Sequence, residues 1–283
     1  MANYPELAGK VALVTGAGRR KGLGEAIAQR LASEGCKVVI TDIGHAKGAE
    51  MPASAVGSQT EMDAVAAGIH ATARHGGGCT ALALDVLEES QVKAAVTETV
   101  ARYGALDILV NNAGIGYLMK PIADMSISEW DAVLGVNLRG AFMCTKYATD
   151  EMTKQGRGGR VINIASQAAK SGFPFAAAYC ASKHGLIGLT RVTAIEMGKY
   201  QITANAVCPN HVTTGLGAWQ NDYFSKALGM TMDQYMAAMA ARIPMGRPGL
   251  SSDTAAAVAW LCSDEAKYLT GEAMNVSGGE ETH

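Results

Sequence analysis

Three side chains in the middle of the sequence have the types and the spacing that proton transfer needs. Tyr179 and Lys183 are four positions apart, and Ser166 precedes the tyrosine by thirteen positions. Residues four apart share one face of a helix, so the phenol and the ammonium can reach one ligand. A free phenol, with a pKa of about 10, is a weak base at neutral pH, and a nearby ammonium stabilises its phenolate form. The pair therefore predicts that Tyr179 exchanges the proton and that Lys183 lowers its pKa.

Ser166 offers a hydrogen-bond donor to the same reaction. It follows an apolar run at 160–164 that is typical of a buried strand. A hydroxyl at the end of such a strand can donate to a carbonyl or alkoxide oxygen. A Tyr–Lys pair at this spacing is common by itself, and the added serine favours acid–base chemistry on an alcohol or ketone oxygen.

The elements that must position these groups are short strands alternating with helices. Strands are predicted at 10–14, 37–41, 80–84, 108–110, 160–164, 203–207 and 273–276, and helices at 23–33, 61–74, 88–103, 128–153, 179–198 and 252–262. Strands rich in Val and Ile, separated by helices, form a parallel sheet buried on both faces, and right-handed crossovers make it doubly wound. The predicted fold is one α/β domain over residues 1–283, a Rossmann-type sheet of about seven strands with helices on both faces.

Two segments do not follow this alternation. Residues 44–60 contain glycine, proline and small polar residues, and they are predicted to form an extended loop. Residues 215–248 contain several methionines and aromatic residues. This second segment predicts either a lid over a substrate or an additional helical pair, and its place at the carboxyl end of the sheet favours the lid.

A glycine-rich turn joins the first predicted strand to the first helix. Glycine permits a tight turn and a close approach to a pyrophosphate, which the helix N-terminus would also attract. The alternative is a plain glycine-rich loop. Arg19, Arg20 and Lys21 could face the phosphates or the solvent. The predicted cofactor contacts in the turn are Gly16, Lys21, Gly22 and Leu23.

The ends of the second and third strands supply candidate contacts for an adenosine. Asp42, followed by Ile43, could accept hydrogen bonds from ribose hydroxyls and would repel a 2′-phosphate, which favours NAD over NADP. The three basic residues of the turn favour NADP. Asp85 could accept the adenine amino group while Val86 packs on the ring. Asp85 could also cap the next helix in a capping box with Glu88.

Composition and charge exclude several classes of function. With a net charge of −2 and an isoelectric point near 6.3, the chain has no field that would attract nucleic acid or a membrane surface. The six cysteines form no C-x-x-C pair or zinc pattern, which indicates reduced thiols. No apolar run is long enough for a membrane span and no secretory core starts the chain, so a cytoplasmic location is expected.

Together these motifs resemble the short-chain dehydrogenase/reductase family. The resemblance extends over nearly the whole chain in the family's order. It includes the segments 15–24, 111–114, 136–138, 179–183, 209–214 and 275–279, together with Asp85, Ser166 and Gly271.

The resemblance implies a role for each matching residue. Tyr179 would exchange the proton with the substrate oxygen that Ser166 holds, and Lys183 would also bind the nicotinamide ribose. Asn137 would anchor a water linking Lys183 to solvent, although a satisfied amide at a helix kink is the alternative. Further cofactor contacts are implied for Asn111, Ala113, Gly114, Pro209, Val212 and Thr214.

Three features depart from the family pattern. Five residues separate Gly16 from Gly22, so the turn is two residues longer than usual. Asn210 stands where the family has glycine, and asparagine tolerates a left-handed backbone better than most residues do. The loop after Asp42 is also longer than usual.

The expected function is hydride transfer between NAD(H) and a secondary alcohol or ketone, such as a polyol or a cyclic alcohol. Phe173, His211 and Trp219 are the candidate substrate contacts, with an otherwise apolar pocket. The alternatives are an NADPH-dependent reductase of ketones or 3-oxoacyl thioesters and a catalytically silent NAD(H) sensor. The resemblance implies a homo-oligomer, a tetramer or a dimer, that pairs through the helices flanking the fifth strand.

Overall fold

A parallel sheet of seven strands forms the centre of the protein. The structure, a computed structural model, describes residues 2–47, 56–116, 118–213 and 216–283. The strands are β1 Val11–Val14, β2 Lys37–Asp42, β3 Gly78–Ala83, β4 Ile108–Asn111, β5 Gly159–Ile164, β6 Ile202–Pro209 and β7 Ala273–Val276. Their order in the sheet is β3-β2-β1-β4-β5-β6-β7. The order runs outward in both directions from the β1–β4 pair, which confirms the predicted doubly wound sheet.

Helices cover both faces of this sheet. They are α1 Leu23–Ser33, α2 Gln59–Thr72, α3 Glu89–Tyr103, α4 Ile127–Leu134, α5 Ala141–Gln155, α6 Ala177–Met197, α7 Leu216–Ala227, α8 Met232–Arg242 and α9 Ser251–Cys262. One apolar cluster joins the sheet to α1, α2 and α9, and another joins it to α3, α5 and α6. Alternate residues of each strand enter opposite clusters, as Leu13 and Val14 do, because strand side chains alternate between faces.

The predicted helix at 128–153 is interrupted in the structure. The helices α4 and α5 are joined by a wide π-helical turn over Gly135–Gly140, which contains Asn137. Apolar positions continue through the turn, with Val136 buried, so the sequence pattern gives no sign of the interruption. Turns of this kind occur often at functional sites.

The segments 44–60 and 215–248 do not follow the alternation of strands and helices, and the structure describes the second more fully than the first. Residues 44–47 and 56–58 lie outside helices and strands, and the rest of the predicted loop, 48–55, lies outside the described residues. The segment 215–248 contains the helical pair α7 and α8. A parallel bridge between Val212 and Gly249 joins the two ends of the segment. Side chains of both helices line the cavity described below, and closure of the pair as a lid remains a prediction.

Candidate active site

The predicted site residues meet in one cavity at the carboxyl ends of the strands. The cavity has a volume of about 700 Å³ and extends from the glycine-rich turn to α8. Ser166, Tyr179 and Lys183 line it together with Gly16 and Asp42. In an open parallel sheet this edge is the usual place for a ligand. The arrangement brings proton-transfer groups and a candidate dinucleotide site together in the wall of one cavity.

The helix α6 places Tyr179 and Lys183 on one face near its beginning. Lys183 is buried, and its Nζ donates a 2.8 Å hydrogen bond to the main-chain oxygen of Ile164 at the end of β5. The same Nζ lies 5.7 Å from the centre of the Tyr179 ring. Ser182 Oγ donates to the main-chain oxygen of Tyr179 at 2.7 Å. The strand end and the helix therefore hold the two side chains in a fixed relation.

Ser166 contacts the tyrosine from the end of β5. Its side chain accepts a 3.1 Å hydrogen bond from the N–H of Ala168, which leaves the hydroxyl proton available for donation. A hydrogen bond with the Ser166 side chain lowers the pKa of Tyr179. The phenol and the serine hydroxyl are thus close enough to hold one substrate oxygen between them.

The expected lowering of the Tyr179 pKa by Lys183 is not found in this structure. Burial raises the pKa of Tyr179 to about 12, with the hydrogen bond of Ser166 acting in the opposite direction. Burial also lowers the pKa of Lys183 to about 8. Removing both groups from water disfavours their charged forms, and burial is the largest cause of the shift at each residue. The tyrosine is therefore a protonated donor at neutral pH.

Asn137 is satisfied by hydrogen bonds within the π-helical turn and its surroundings. Its Oδ1 accepts from the N–H of Ile115 at 2.8 Å, and its Nδ2 donates to Ile115 O at 2.9 Å and to Ser182 Oγ at 3.0 Å. Through Ser182 it is connected to the backbone of Tyr179. A water held by Asn137 would have to use its main-chain oxygen or the second lone pair of Oδ1. That role remains a prediction.

The glycine-rich turn is packed so closely that Cβ atoms at two of its glycines would clash with neighbouring backbone. A Cβ on Gly16, whose φ is +64°, would lie 2.5 Å from Ala113 Cα, and one on Gly24 would lie 2.7 Å from Ala17 Cα. The helix α1 begins at Leu23 with Gly22 as its N-cap, and within the described residues no side chain bonds to that cap. Its first N–H groups are therefore available to phosphate oxygens. These features fit a dinucleotide pyrophosphate.

The basic residues of the turn have different positions. The described lining of the cavity includes Arg19 but neither Arg20 nor Lys21. Lys21 is exposed, has a left-handed backbone with φ +56°, and its N–H donates to Glu25. The predicted cofactor contact of Lys21 remains a prediction, whereas Gly16, Gly22 and Leu23 all line the cavity.

Asp42, the last residue of β2, contacts the glycine-rich turn on the side predicted to bind adenosine. Its carboxylate accepts from Gly18 N–H at 3.0 Å and from Ile43 N–H at 2.9 Å, and both Asp42 and Ile43 line the cavity. Burial raises the pKa of Asp42 above its usual value, and the two N–H donors oppose that rise, as does the positive charge of Arg19. Each carboxylate oxygen keeps a lone pair that can accept a ribose hydroxyl.

The capping role considered for Asp85 is wrong. The N-cap of α3 is Glu88, and no side chain among the described residues caps it. Asp85 instead stabilises the preceding turn by accepting from Leu87 N–H at 2.9 Å, and it forms a 2.9 Å ion pair with Lys47. Asp85 and Val86 both line the cavity, so their predicted contact with adenine remains open.

Buried amides support the sheet beneath the cavity. Asn111 donates to Thr145 Oγ1 at 2.9 Å and to Asn163 Oδ1 at 2.8 Å, whereas its neighbours Ala113 and Gly114 line the cavity. A Cβ on Gly114 would lie 3.3 Å from Asn137 Oδ1 and 3.6 Å from Lys183 Nζ. Asn111 thus links neighbouring elements beneath the cavity, and its predicted cofactor contact remains a prediction, whereas Gly114 leaves space beside the lysine.

The loop after β6 follows the resemblance with one correction. Pro209 and Val212 line the cavity, and Thr214 lies outside the described residues. Asn210 does not adopt the left-handed backbone that its type allows. Its N–H donates to Val276 O at 3.1 Å, and its amide donates to the carboxylate of Glu280. A side-chain contact, rather than a special backbone conformation, therefore fixes the turn.

The opposite end of the cavity has an apolar wall with a few polar groups. The predicted contacts Phe173, His211 and Trp219 all lie there. Tyr235, Met239, Arg242 and Glu280 also line it; the sequence interpretation included the first three only as part of the predicted lid segment and missed Glu280. The first three follow an i, i+4, i+7 spacing that indicates one helix face and could have revealed them. Glu280 lies in the C-terminal segment and gives no comparable signal.

The described residues contain no group of three His, Cys, Asp or Glu side chains that could hold a metal ion. All six cysteines are unpaired thiols, and five of them are buried. Among the described helices, none has both the length and the apolar character that crossing a bilayer requires.

Comparison with known proteins agrees with this geometry. Residues 16–281 match a family model described as enoyl-(acyl carrier protein) reductase. A short-chain dehydrogenase/reductase of Armillaria gallica is 38% identical over 99% of this chain and 98% of its own length. The 3-oxoacyl-(acyl-carrier-protein) reductase of Staphylococcus aureus is 38% identical over 95% of this chain and 97% of its own length.

Solved structures show the same architecture. Levodione reductase superposes with a TM-score of 0.84 at 32% identity, covering 96% of this chain and 98% of its own. A variant of actinorhodin polyketide ketoreductase with NADPH gives a TM-score of 0.86 at 33% identity, covering 97% and 98%. The fold and the site define a nicotinamide-dependent oxidoreductase. The chain belongs to the short-chain dehydrogenase/reductase family.

Proposed function

We propose that the protein transfers a hydride between NAD(H) and a secondary alcohol or ketone, with Tyr179 exchanging the proton. The observation that carries this proposal is the fixed group of Lys183, Tyr179 and Ser166 within the cavity that the glycine-rich turn also lines. These groups and a dinucleotide site are what carbonyl reduction requires. Activity on a polyol or a cyclic alcohol fits the size and the apolar wall of the cavity.

In the direction of reduction, each residue has a distinct task. When bound, the nicotinamide supplies the hydride. Ser166 Oγ donates a hydrogen bond to the substrate carbonyl oxygen and orients it toward the phenol. Tyr179 gives its proton to that oxygen as negative charge develops there. Lys183, held by Ile164 O, places positive charge near the resulting phenolate.

The proposed preference for NAD rests on Asp42. A carboxylate at this place binds ribose hydroxyls and repels a 2′-phosphate by roughly 1–4 kcal/mol at a few ångströms. Arg19, which also lines the cavity, provides the opposing attraction. Use of NADPH is therefore the competing proposal, and it gains support from the NADPH bound in the ketoreductase structure.

The test is an absorbance screen at 340 nm over cyclic ketones, linear ketones and polyols, with both cofactors. We expect turnover with a secondary alcohol or ketone and a higher kcat/KM with NAD(H) than with NADP(H). Firm NADH binding without any turnover would favour the silent sensor. The intact proton-transfer group opposes that alternative, because a pure sensor has no use for it.

A second candidate substrate class is a 3-oxoacyl thioester, which the similarity to the staphylococcal reductase suggests. Adding acetoacetyl-CoA to the screen separates the two. Reduction of this thioester with a kcat/KM above that of every simple ketone, and with NADPH preferred, would replace the main proposal.

A homo-oligomer and a cytoplasmic location are also proposed. Phe142 on α5 and Val192 and Ile195 on α6 are large apolar side chains exposed by 49%, 52% and 82%. The helices α5 and α6 flank β5, so pairing through them would cover these side chains. Light scattering of the purified protein tests for a tetramer or a dimer.

A further inference from the structure

His211 and Tyr235 form a polar pair in the apolar end of the cavity. His211 Nε2 and Tyr235 Oη are 3.1 Å apart, and both side chains line the cavity. Their neighbours in the wall include Phe173, Trp219 and Met239. Burying polar groups in such a wall costs free energy unless they hydrogen-bond to each other or to a ligand.

The Asn221 side chain also hydrogen-bonds to the His211 ring, and its amide can serve either tautomer by accepting or by donating. The hydroxyl of Tyr235 therefore retains one unused hydrogen-bonding position whichever partner of the pair donates. Burial lowers the pKa of His211 below its usual value, so its ring is neutral near pH 7. If Nε2 donates to the phenol, the Tyr235 hydroxyl can donate to a ligand. If the hydroxyl donates to Nε2, its oxygen can accept from one. The pair can therefore hold either a carbonyl or a hydroxyl.

His211 and Ser166 follow the ends of two neighbouring strands of the sheet. Ala165, next to Ser166, donates from its N–H to Val207 O at 2.8 Å on the neighbouring strand β6. Adjacent strands are about 4.8 Å apart, and His211 follows the end of β6 at Pro209 by two residues. Both groups line the same cavity, so one bound substrate can contact both.

The charges nearby favour a neutral oxygen at this position. Arg242 also lines the cavity, but its guanidinium is paired with the Glu280 carboxylate at 2.7 Å. The Glu280 side chain is only 8% exposed, so the positive charge is compensated at close range. A substrate carboxylate would find no net positive charge here, whereas a hydroxyl or carbonyl needs none.

We propose that the substrate carries a second oxygen, across the ring from the reacting carbon, and that the His211–Tyr235 pair binds it. The preferred substrates are then cyclic diketones, hydroxyketones or diols rather than simple ketones. The inference rests on the proposed function and specifies its substrate class. A site that hydrogen-bonds a substrate oxygen discriminates against an analogue without it, because the polar groups are left unpaired.

The test compares cyclohexane-1,4-dione with cyclohexanone in the protein and in Tyr235→Phe. We expect kcat/KM for the dione to exceed that for the monoketone by about tenfold after the statistical factor for two carbonyls, as one to two hydrogen bonds predict. Tyr235→Phe should reduce this ratio to within about twofold of one, chiefly by lowering kcat/KM for the dione. Equal kcat/KM values in the parent, or an unchanged ratio in the variant, overturn the inference.

Two further variants make the test specific. Tyr223→Phe removes a hydroxyl that donates to Met119 O from the same helical pair, outside the described cavity lining, and should leave the ratio unchanged. His211→Leu replaces Tyr235→Phe if circular dichroism shows that the latter does not fold, and it should reduce the ratio likewise.

A measurement of binding separates failure of this inference from failure of the proposed function. If the full screen of ketones and alcohols shows no turnover with either cofactor, the proposed function fails. Quenching of tryptophan fluorescence, with Trp219 in the cavity wall, still gives the ratio of the two ketones' dissociation constants. Tighter binding of the dione that Tyr235→Phe abolishes supports the inference, and equal binding overturns it.

Discussion

The ammonium of Lys183 is bonded to the main-chain oxygen of Ile164 at 2.8 Å rather than to the hydroxyl of Tyr179. This contact joins α6 to the end of β5 and holds the lysine in the cavity wall. Burial then determines the ionisation of both side chains, with a pKa of about 8 for Lys183 and about 12 for Tyr179. At neutral pH the site therefore presents a neutral phenol beside a buried cation.

Replacing Tyr179 with phenylalanine should remove proton transfer and little else. Positioned acid–base catalysis typically contributes 10²- to 10⁴-fold, so we expect kcat to fall at least a hundredfold. The dissociation constant for NADH, measured by fluorescence titration, should stay within about threefold, because the ring remains packed. A variant that keeps kcat within fivefold of the parent would show that another group exchanges the proton.

The lowered pKa of Lys183 predicts a pH-dependent cost to stability. The unfolded state keeps the usual pKa of 10.5, so below pH 8 the folded state must hold a charge that burial disfavours. The cost is on the order of 3 kcal/mol at neutral pH and is lost as pH rises from about 8 to above 10. Lys183→Met removes this cost together with the hydrogen bond to Ile164 O, so it should abolish activity and be more stable relative to the parent at pH 7 than at pH 10.

The measurement is urea unfolding of parent and variant at pH 7 and pH 10. We expect the stability of the variant relative to the parent to fall by about 2 kcal/mol at the higher pH. Lys226→Met serves as the matched control, because the Lys226 side chain is 74% exposed and pairs only with Asp222 among the described ion pairs. A stability difference between Lys183→Met and the parent that does not change with pH would contradict this account.

The part of the fold that depends on chain-local patterns could be predicted from the sequence. Side-chain periodicity predicts the short apolar strands and the helices between them. Backbone sterics predict the first turn from its glycines. For the same reason Tyr179, Lys183 and Ser166 could be assigned to one site before their geometry was known. A shared helix face defines the positions of Tyr179 and Lys183, and a strand end defines that of Ser166.

Properties that depend on burial or on distant contacts could not be predicted in this way. The sign of the Tyr179 pKa shift depends on desolvation, which spacing alone does not reveal. The turn at Asn210 depends on Glu280, which is seventy positions away in the chain. The π-helical turn at Asn137 depends on hydrogen bonds with Ile115, whereas the apolar pattern continues unbroken.

Asn137 should contribute to stability as well as to the site. Asn137→Ala leaves the buried N–H and C=O of Ile115 without their side-chain partners, and each such group costs about 1–3 kcal/mol. We expect the free energy of unfolding to fall by about 2–4 kcal/mol in urea titrations. Asn3→Ala, at an exposed position, is the control and should change it by less than about 0.5 kcal/mol. A loss of activity without loss of stability would instead assign Asn137 to proton relay alone.

Asp42 should determine which cofactor is preferred. Its carboxylate lines the cavity and is held by Gly18 and Ile43, so Asp42→Ala removes both the ribose acceptor and the negative charge. We expect the ratio of kcat/KM for NADH over NADPH to fall by about ten- to a hundredfold, which matches 1.4–2.8 kcal/mol of lost repulsion and hydrogen bonding. Arg19, which remains in the cavity, would then attract the 2′-phosphate without opposition from Asp42.

Asp63→Ala removes a carboxylate from the exposed side of α2 and should leave the ratio unchanged. If Asp42→Ala also leaves the ratio unchanged, cofactor choice depends on a group other than this carboxylate.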